Sequence, residues 1–310
     1  MITKKSTATH EEWLALRHKY IGGSDAAAVV GMNAWVSPLT LWAEKTGRLP
    51  GFEGNLATEV GTYLEEFVAQ KFAQETGKKV RKCNQSWFND QYPWAIANID
   101  REIVGEDAGL EIKTTSEMNL TKFKGGEYPA NYYVQCMHYL AVTGKKKWYL
   151  AVLIGNREFK WFTIERDEDE INALMDAEKK FKQLVDSNTP PMADGASSTA
   201  DTLSALYPDS IDNAIGIGSF EKELDNYFRL NEQKKNIEMV IDGIENRIKA
   251  HLGECARGEG EKYKVSWKTQ YRSTFDSKKF IADHPEMDVS AYYKRSNSRP
   301  FKVTEKTGGK

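Results

Sequence analysis

The stretch Asn98–Thr115, NIDREIVGEDAGLEIKTT, constrains the fold more than any other part of the chain. Two apolar, strand-like runs flank a polar turn, GEDAG, yet Asp100, Glu111 and Lys113 sit inside those runs, where charge is ordinarily excluded. Read as adjacent antiparallel strands, the runs place Asp100 opposite the face shared by Glu111 and Lys113, since residues two apart in a strand point the same way. Three charges then converge. Two carboxylates in a poorly solvated site repel, and one stays protonated near neutral pH unless a cation neutralises the pair. A hard divalent ion does this, and Mg²⁺ commonly takes one or two carboxylates while keeping waters and substrate phosphate oxygens. A neighbouring lysine can orient or deprotonate a water and offset phosphate charge. The bland reading is a surface hairpin with a cross-strand Lys–Asp pair. Spacing alone leaves both open.

The rest of the chain narrows the choice. Its 310 residues suffice for one large core with an appended piece, or for two domains. A formal charge of −2 advertises no nucleic-acid partner, although only the local field of a groove matters for DNA. No run reaches about 18 apolar residues, and the opening MITKKSTATHEEW lacks the apolar core of a signal peptide, so a cytosolic protein without membrane association is expected. Cys83, Cys136 and Cys255 are scattered, which suits reduced, mostly buried thiols and cannot supply the four ligands of an iron–sulfur cluster. The histidines show no ligand spacing either, so any metal must be held by oxygen.

Composition breaks once, at residues 186–202, DSNTPPMADGASSTADT, which is small, polar and proline-bearing. This divides the chain into an α/β domain over 1–190, a linker over 191–218 and a C-terminal arm and tail over 219–310. In the first part, KKWYLAVLIG and REFKWFTIERD alternate as two strands around a Gly–Asn turn. SPLTLWAEKTG and EVGTYLEEFVAQKFAQETG read as helices ending in glycine, with Leu64, Phe67, Val68 and Phe72 as the buried stripe of the second. Beyond the break, Ile237, Ile241, Ile244 and Ile248 recur at helical spacing, a long amphipathic helix or hairpin. The last fifty residues hold twelve Lys or Arg against six Asp or Glu, interleaved with Tyr263, Trp267, Tyr271, Tyr292 and Tyr293, a pattern able to follow a nucleic-acid strand.

Other residues join the opening stretch as candidates. At about 100° per residue, Glu65 borders the apolar stripe while Glu66 points to solvent. PANYYVQCMHYLAVTG is apolar nearly all round, a buried helix whose polar exceptions are Gln135 and His138. A buried amide must be hydrogen-bonded, so Gln135 either ties down backbone or reaches a site, and His138 is expected to be structural. In LRHKYIGGSDAAAVVG, Ser24 reads as a helix N-cap behind Gly22 and Gly23, with Arg17 available for bidentate phosphate contacts. The bland version is a plain cap and a surface charge.

Taken in order, LRHKYIGGSDAAAVVGMNAWVSPLTLWAEKTG, GTYLEEFV, NIDREI, GLEIKTT and YYVQCMHYLAVTG resemble the YqaJ-type viral recombinases. These are phage relatives of lambda exonuclease in the PD-(D/E)xK nuclease superfamily. Here no proline precedes Asp100, as is common in that superfamily. The resemblance implies a restriction-endonuclease-like α/β (α+β) fold, a central mixed sheet flanked by helices, with a C-terminal helical arm and a small basic β-containing extension. It implies Asp100, Glu111 and the Ile112 carbonyl as Mg²⁺ ligands, with Mn²⁺ able to substitute, Glu65 completing the acidic set, Lys113 handling the attacking water and Gln135 contacting water or phosphate. Arg17 and Ser24 match a pair that grips a 5′-terminal phosphate, and Asn98 replaces a serine of that pocket. The implied activity is 5′-to-3′ digestion of double-stranded DNA ends by a trimeric ring, leaving 3′ overhangs for a RecT-type single-strand annealing protein in the bacterial cytoplasm, encoded by a phage or prophage. Two alternatives remain, an endonuclease with the same site and a non-catalytic DNA-binding or annealing module.

Overall fold

Alternating apolar residues in two consecutive runs build the hairpin at the heart of the protein. The computed structural model describes residues 1–6, 9–294 and 297–306. It divides into two units, Met1–Pro208 and Asp209–Lys310.

Along the first unit run β1 (Ile2–Ser6), α1 (His10–Lys19), β2 (Ile21–Gly22), α2 (Gly23–Val29), α3 (Pro38–Lys45) and α4 (Leu56–Thr76). Then come β3 (Val80–Lys82), β4 (Gln85–Asn89), β5 (Ala95–Asn98), β6 (Arg101–Ile103), β7 (Ala108–Thr115) and α5 (Ala130–Thr143). The unit closes with β8 (Lys147–Ile154), β9 (Glu158–Glu165), α6 (Glu168–Asp186) and α7 (Ser197–Leu206). A five-stranded sheet has the order β3-β6-β7-β8-β9 and a four-stranded sheet the order β1-β4-β5-β2. Both are mixed. In the larger, β7 and β8 are parallel and the remaining pairs antiparallel, because the chain crosses over through α5 between them. This is the α/β architecture of mixed sheets with flanking helices that the sequence implies.

Both helices that frame β7 follow from their sequences. Asn55 caps α4 by accepting from the Thr58 N–H, and Gly77 ends it at φ 70°, a left-handed conformation that glycine adopts without a Cβ penalty. On α4, Val68, Ala69 and Phe72 are fully buried against Ile103, Leu110, Ile112, Tyr149 and Ala151. Burying a side chain such as Phe72 contributes roughly 1.5–3 kcal/mol. Phe67, expected in that stripe, is instead 54% exposed, and Ala69 lies in the buried stripe beside Val68 and Phe72. On the other side, α5 is buried from Val134 to Thr143, as its all-round apolarity predicts.

Three further expectations change. The run WAIANIDREIV is two strands rather than one: β5 belongs to the smaller sheet, β6 to the larger, and Ile99 and Asp100 form the crossing point. The segment 191–218, read as a linker from its composition, contains α7, whose Thr199 and Thr202 are buried. Thr202 Oγ1 meets Thr40 Oγ1 at 2.8 Å, and Thr40 also donates to the Ser198 carbonyl, so small polar residues here dock a helix onto α3. Among the three thiols, Cys136 is buried but Cys255 is exposed.

The second unit holds α8 (Glu221–Leu252), a hairpin of β10 (Arg257–Glu259) and β11 (Lys264–Ser266), and α9 (Ser277–Asp283). The amphipathic pattern is one helix of 32 residues, not a hairpin. Arg295, Ser296 and residues 307–310 of the basic tail lie outside the described residues. Among the described residues no helix is long and apolar enough to cross a membrane.

Candidate active site

The crossing point between the sheets creates the site. β6 pairs with β7 at Arg101↔Leu110 and Glu102↔Gly109, and past Leu110 it has no residue left to offer the β7 ladder. The Ile112 N–H is therefore met by a side chain, donating to Asp100 Oδ2 at 2.8 Å. That bond fixes Asp100 beside β7, where Glu111 and Lys113 share a face. Lys113 Nζ lies 2.7 Å from Glu111 Oε1, and Gln135 Nε2 donates to the same oxygen at 2.7 Å. The cross-strand Lys–Asp pair of the bland reading is not what forms, because Lys113 pairs within its own strand.

Glu111 is 2% exposed, and its Oε2 is buried without a hydrogen-bond partner among the described residues. A buried carboxylate oxygen left unbonded is costly and marks a place for a cation or donor. Burial, and then the charge of Glu111, push the Asp100 carboxyl well above its usual range, outweighing Lys113 and the Ile112 N–H. Burial alone would lower the Lys113 pKa, but Glu111 and Asp100 reverse this and drive it upward, so Lys113 is an ammonium supplying charge rather than a free amine. Two crowded carboxylates, one with an orphaned oxygen, beside backbone at Ile112 form an all-oxygen donor set that suits a hard divalent ion.

Glu65 does not close that set. Its Oε1 is held by Arg101 Nη1, while Arg101 Nη2 donates to Glu66 at 3.0 Å. Arg101 is 2% exposed and also donates to the Asp100 carbonyl at 2.8 Å, so it ties α4 to the crossing point. Among the described residues no three of His, Cys, Asp and Glu are grouped to hold a metal by themselves. Glu65 lines the cleft as an ion-paired neighbour of Asp100 and Glu111, and Glu66, expected to be purely solvated, shares its arginine.

The Gln135 amide also donates to Tyr139 Oη at 2.9 Å, one helical turn on, so it reaches the site rather than bonding backbone. The Tyr139 ring packs on Gly23, where an added Cβ would fall 2.4 Å from a ring carbon. His138 turns away as expected of a structural residue, with Nδ1 2.7 Å from Glu178 Oε1 and Nε2 2.9 Å from the Ile96 carbonyl.

One cavity of about 540 Å³ is lined by Arg17, Ser24, Glu65, Asn98, Asp100, Glu111, Ile112, Lys113 and Gln135, so every candidate named from the sequence meets there. Ser24 is not the cap of α2: Gly22 is, with Asp25 Oδ2 accepting its N–H at 3.0 Å, and Ser24 lies in the first turn with its side chain exposed. Because α2 spans only seven residues, an anion there depends on the Arg17 and Ser24 side chains more than on a helix dipole. Asn98 Oδ1 accepts from Ser86 at 2.6 Å, which orients its amide along the cleft wall. Sequence reading missed Arg101, Tyr139 and the small residues Gly61 and Thr114, which let α4 close on the end of β7. The spacing of Tyr139 four after Gln135 was the available signal.

Three comparisons bear on this geometry. Residues 12–146 match the model of the YqaJ-like viral recombinase domain. The protein YqaJ of Bacillus subtilis (strain 168) is 36% identical over 311 residues, spanning 98% of this chain and 97% of that protein. Among solved structures, the alkaline exonuclease LHK-Exo from Laribacter hongkongensis, in complex with dAMP, has 23% identity and a TM-score of 0.50, covering 57% of this chain and 93% of that one. That likeness is one of fold.

Proposed function

Because the chain belongs to the YqaJ-like viral recombinase family, we propose that it is a Mg²⁺-dependent deoxyribonuclease that digests double-stranded DNA from 5′ ends and leaves 3′ overhangs for recombination by strand annealing. One observation carries the reading: a single cleft brings Asp100, Glu111 and Lys113 together with Arg17 and Ser24. The first three are the chemistry of phosphodiester hydrolysis, and the last two are donors that an end reader needs. The fold it shares with an alkaline exonuclease supports the same class.

Asp100 and Glu111, with the Ile112 carbonyl, are the residues that would hold Mg²⁺, and the orphaned Glu111 Oε2 is the observation that fits them to it. When bound, Mg²⁺ or Mn²⁺ supplies charge stabilisation at the phosphoryl oxygens and a more acidic water. Lys113 orients the attacking water and offsets charge developing on the phosphate, its ammonium held 2.7 Å from Glu111. Gln135 fixes the Glu111 carboxylate through Oε1 and leaves Oε2 for the ion. Arg101 holds Glu65 in place at the cleft wall. Arg17 and Ser24 hold the terminal phosphate, and Asn98 stands beside them.

Partners in this reading are duplex ends, a single-strand annealing protein of the RecT type, and two further copies in a ring, all in the bacterial cytoplasm. The test is a linear duplex, 5′-phosphorylated and labelled separately at each end, incubated with Mg²⁺ beside closed circular DNA. Loss of the 5′ label first, with circles intact, is expected. Cleaved circles would favour an endonuclease, and no cleavage of either would leave a binding module.

A further inference from the structure

Lys45 lies outside the cleft lining, yet the whole end-reading side of the cleft converges on it. It sits in the last turn of α3 with its side chain 6% exposed. Its ammonium has three protons and three acceptors: the Arg17 carbonyl, the Tyr20 carbonyl at 2.8 Å and Asp25 Oδ2 at 2.6 Å. Asp25, itself 6% exposed, accepts the Gly22 N–H through that same oxygen. The first two acceptors are carbonyls at the C-terminal end of α1. All of these groups belong to residues 17–25, the segment that brings Arg17, Gly22, Gly23 and Ser24 to the cleft.

We propose that Lys45 is the positioning residue of the terminal-phosphate pocket: it fixes the backbone from which Arg17 extends and the turn that carries Ser24, in one register relative to each other. The inference rests on the end-reading role given above to Arg17 and Ser24. A bidentate guanidinium contact depends on placement within a fraction of an ångström, so loosening its backbone should weaken recognition of the extra charge on a 5′-phosphate. Asp100, Glu111 and Lys113 are held by other elements, β7 and the crossing point between the sheets.

The experiment compares the full chain with two variants, Lys45→Met and the double variant Asp25→Asn/Lys45→Met. The second removes both charges, so that no buried carboxylate is left unpaired to threaten folding. Rates are measured on duplexes ending in 5′-phosphate and in 5′-hydroxyl, and amide hydrogen exchange is followed along the chain. The expected result is a phosphate preference in the parent that falls tenfold or more in both variants, with faster exchange confined to residues 17–25. Variants that slow equally on both ends, keeping the parent's preference, would overturn the inference and leave Lys45 as scaffold. A parent with no phosphate preference would overturn the end-reading role itself, and the inference with it.

Discussion

At the scale of single residues, Glu111 is the position where shape and charge can be separated. Glu111→Gln keeps the volume and one acceptor but removes the charge that the orphaned oxygen concentrates. Mg²⁺-dependent cleavage should disappear while DNA binding in Ca²⁺ survives; a gel assay with residual Mg²⁺-dependent product would refute the metal assignment. Lys113→Ala should cost about 10²-fold or more in turnover, the scale of a positioned proton or charge. For Arg17→Ala, losing a charge-assisted contact of about 1.5–3 kcal/mol predicts ten- to a hundredfold slower digestion of 5′-phosphorylated duplex and little change on 5′-hydroxyl ends. Equal loss on both ends would make Arg17 structural or catalytic. The residues of the D…ExK pattern were legible because charge inside a strand run is rare. Arg101 was not, since nothing in DRE reveals that the arginine, rather than its neighbours, is buried between two glutamates of α4.

At the scale of elements, α5 does two jobs on adjoining flanks, and its sequence announced only that it is buried. Gln135 and Tyr139 face the cleft, whereas His138 locks the helix to Glu178 of α6 and to β5. Both members of that pair are fully buried, so His138→Ala should destabilise the fold by about 3–5 kcal/mol by leaving a lone carboxylate inside. Thermal unfolding should recover most of this in His138→Ala/Glu178→Gln, and no recovery would mean that packing, not charge, dominates. On the cleft side, Gly23→Ala must displace the Tyr139 ring and with it the partner of Gln135. It should slow cleavage at saturating DNA while leaving the melting temperature within a few degrees. The identities of α4, α5, β8 and β9 were readable from periodicity, and glycine at φ 70° after α4 and 69° after α5 marked the helix ends. The split of WAIANIDREIV between two sheets was not readable, because alternation is continuous through it and only the partner strands decide which sheet each half joins. The same holds for α7, where serine and threonine look like linker until Thr40 is brought opposite them.

At the scale of the whole molecule, the cleft is complete within Met1–Pro208, which has its own hydrophobic cores. The unit from Asp209 onward is different in kind. Along α8 the side chains of Ile237, Ile241, Ile244 and Ile248 are 38–60% exposed, an apolar stripe that belongs to none of the buried clusters among the described residues. After it come Tyr263, Tyr271, Tyr292 and Tyr293, all well exposed among basic residues. An apolar stripe of that length suits helix-to-helix association, and exposed aromatics amid positive charge suit a DNA strand. Truncation after Pro208 should therefore leave the single-turnover cleavage rate within a few-fold at saturating DNA, since no cleft residue is removed. It should weaken binding to duplex about tenfold or more near physiological salt, and flatten the dependence of affinity on salt in proportion to the number of phosphates this unit neutralises. Sedimentation should report a smaller assembly if the α8 stripe joins copies. Unchanged affinity, salt slope and mass together would deny this unit both roles, whereas loss of the single-turnover rate would mean that the first unit needs the second to hold its cleft in working order.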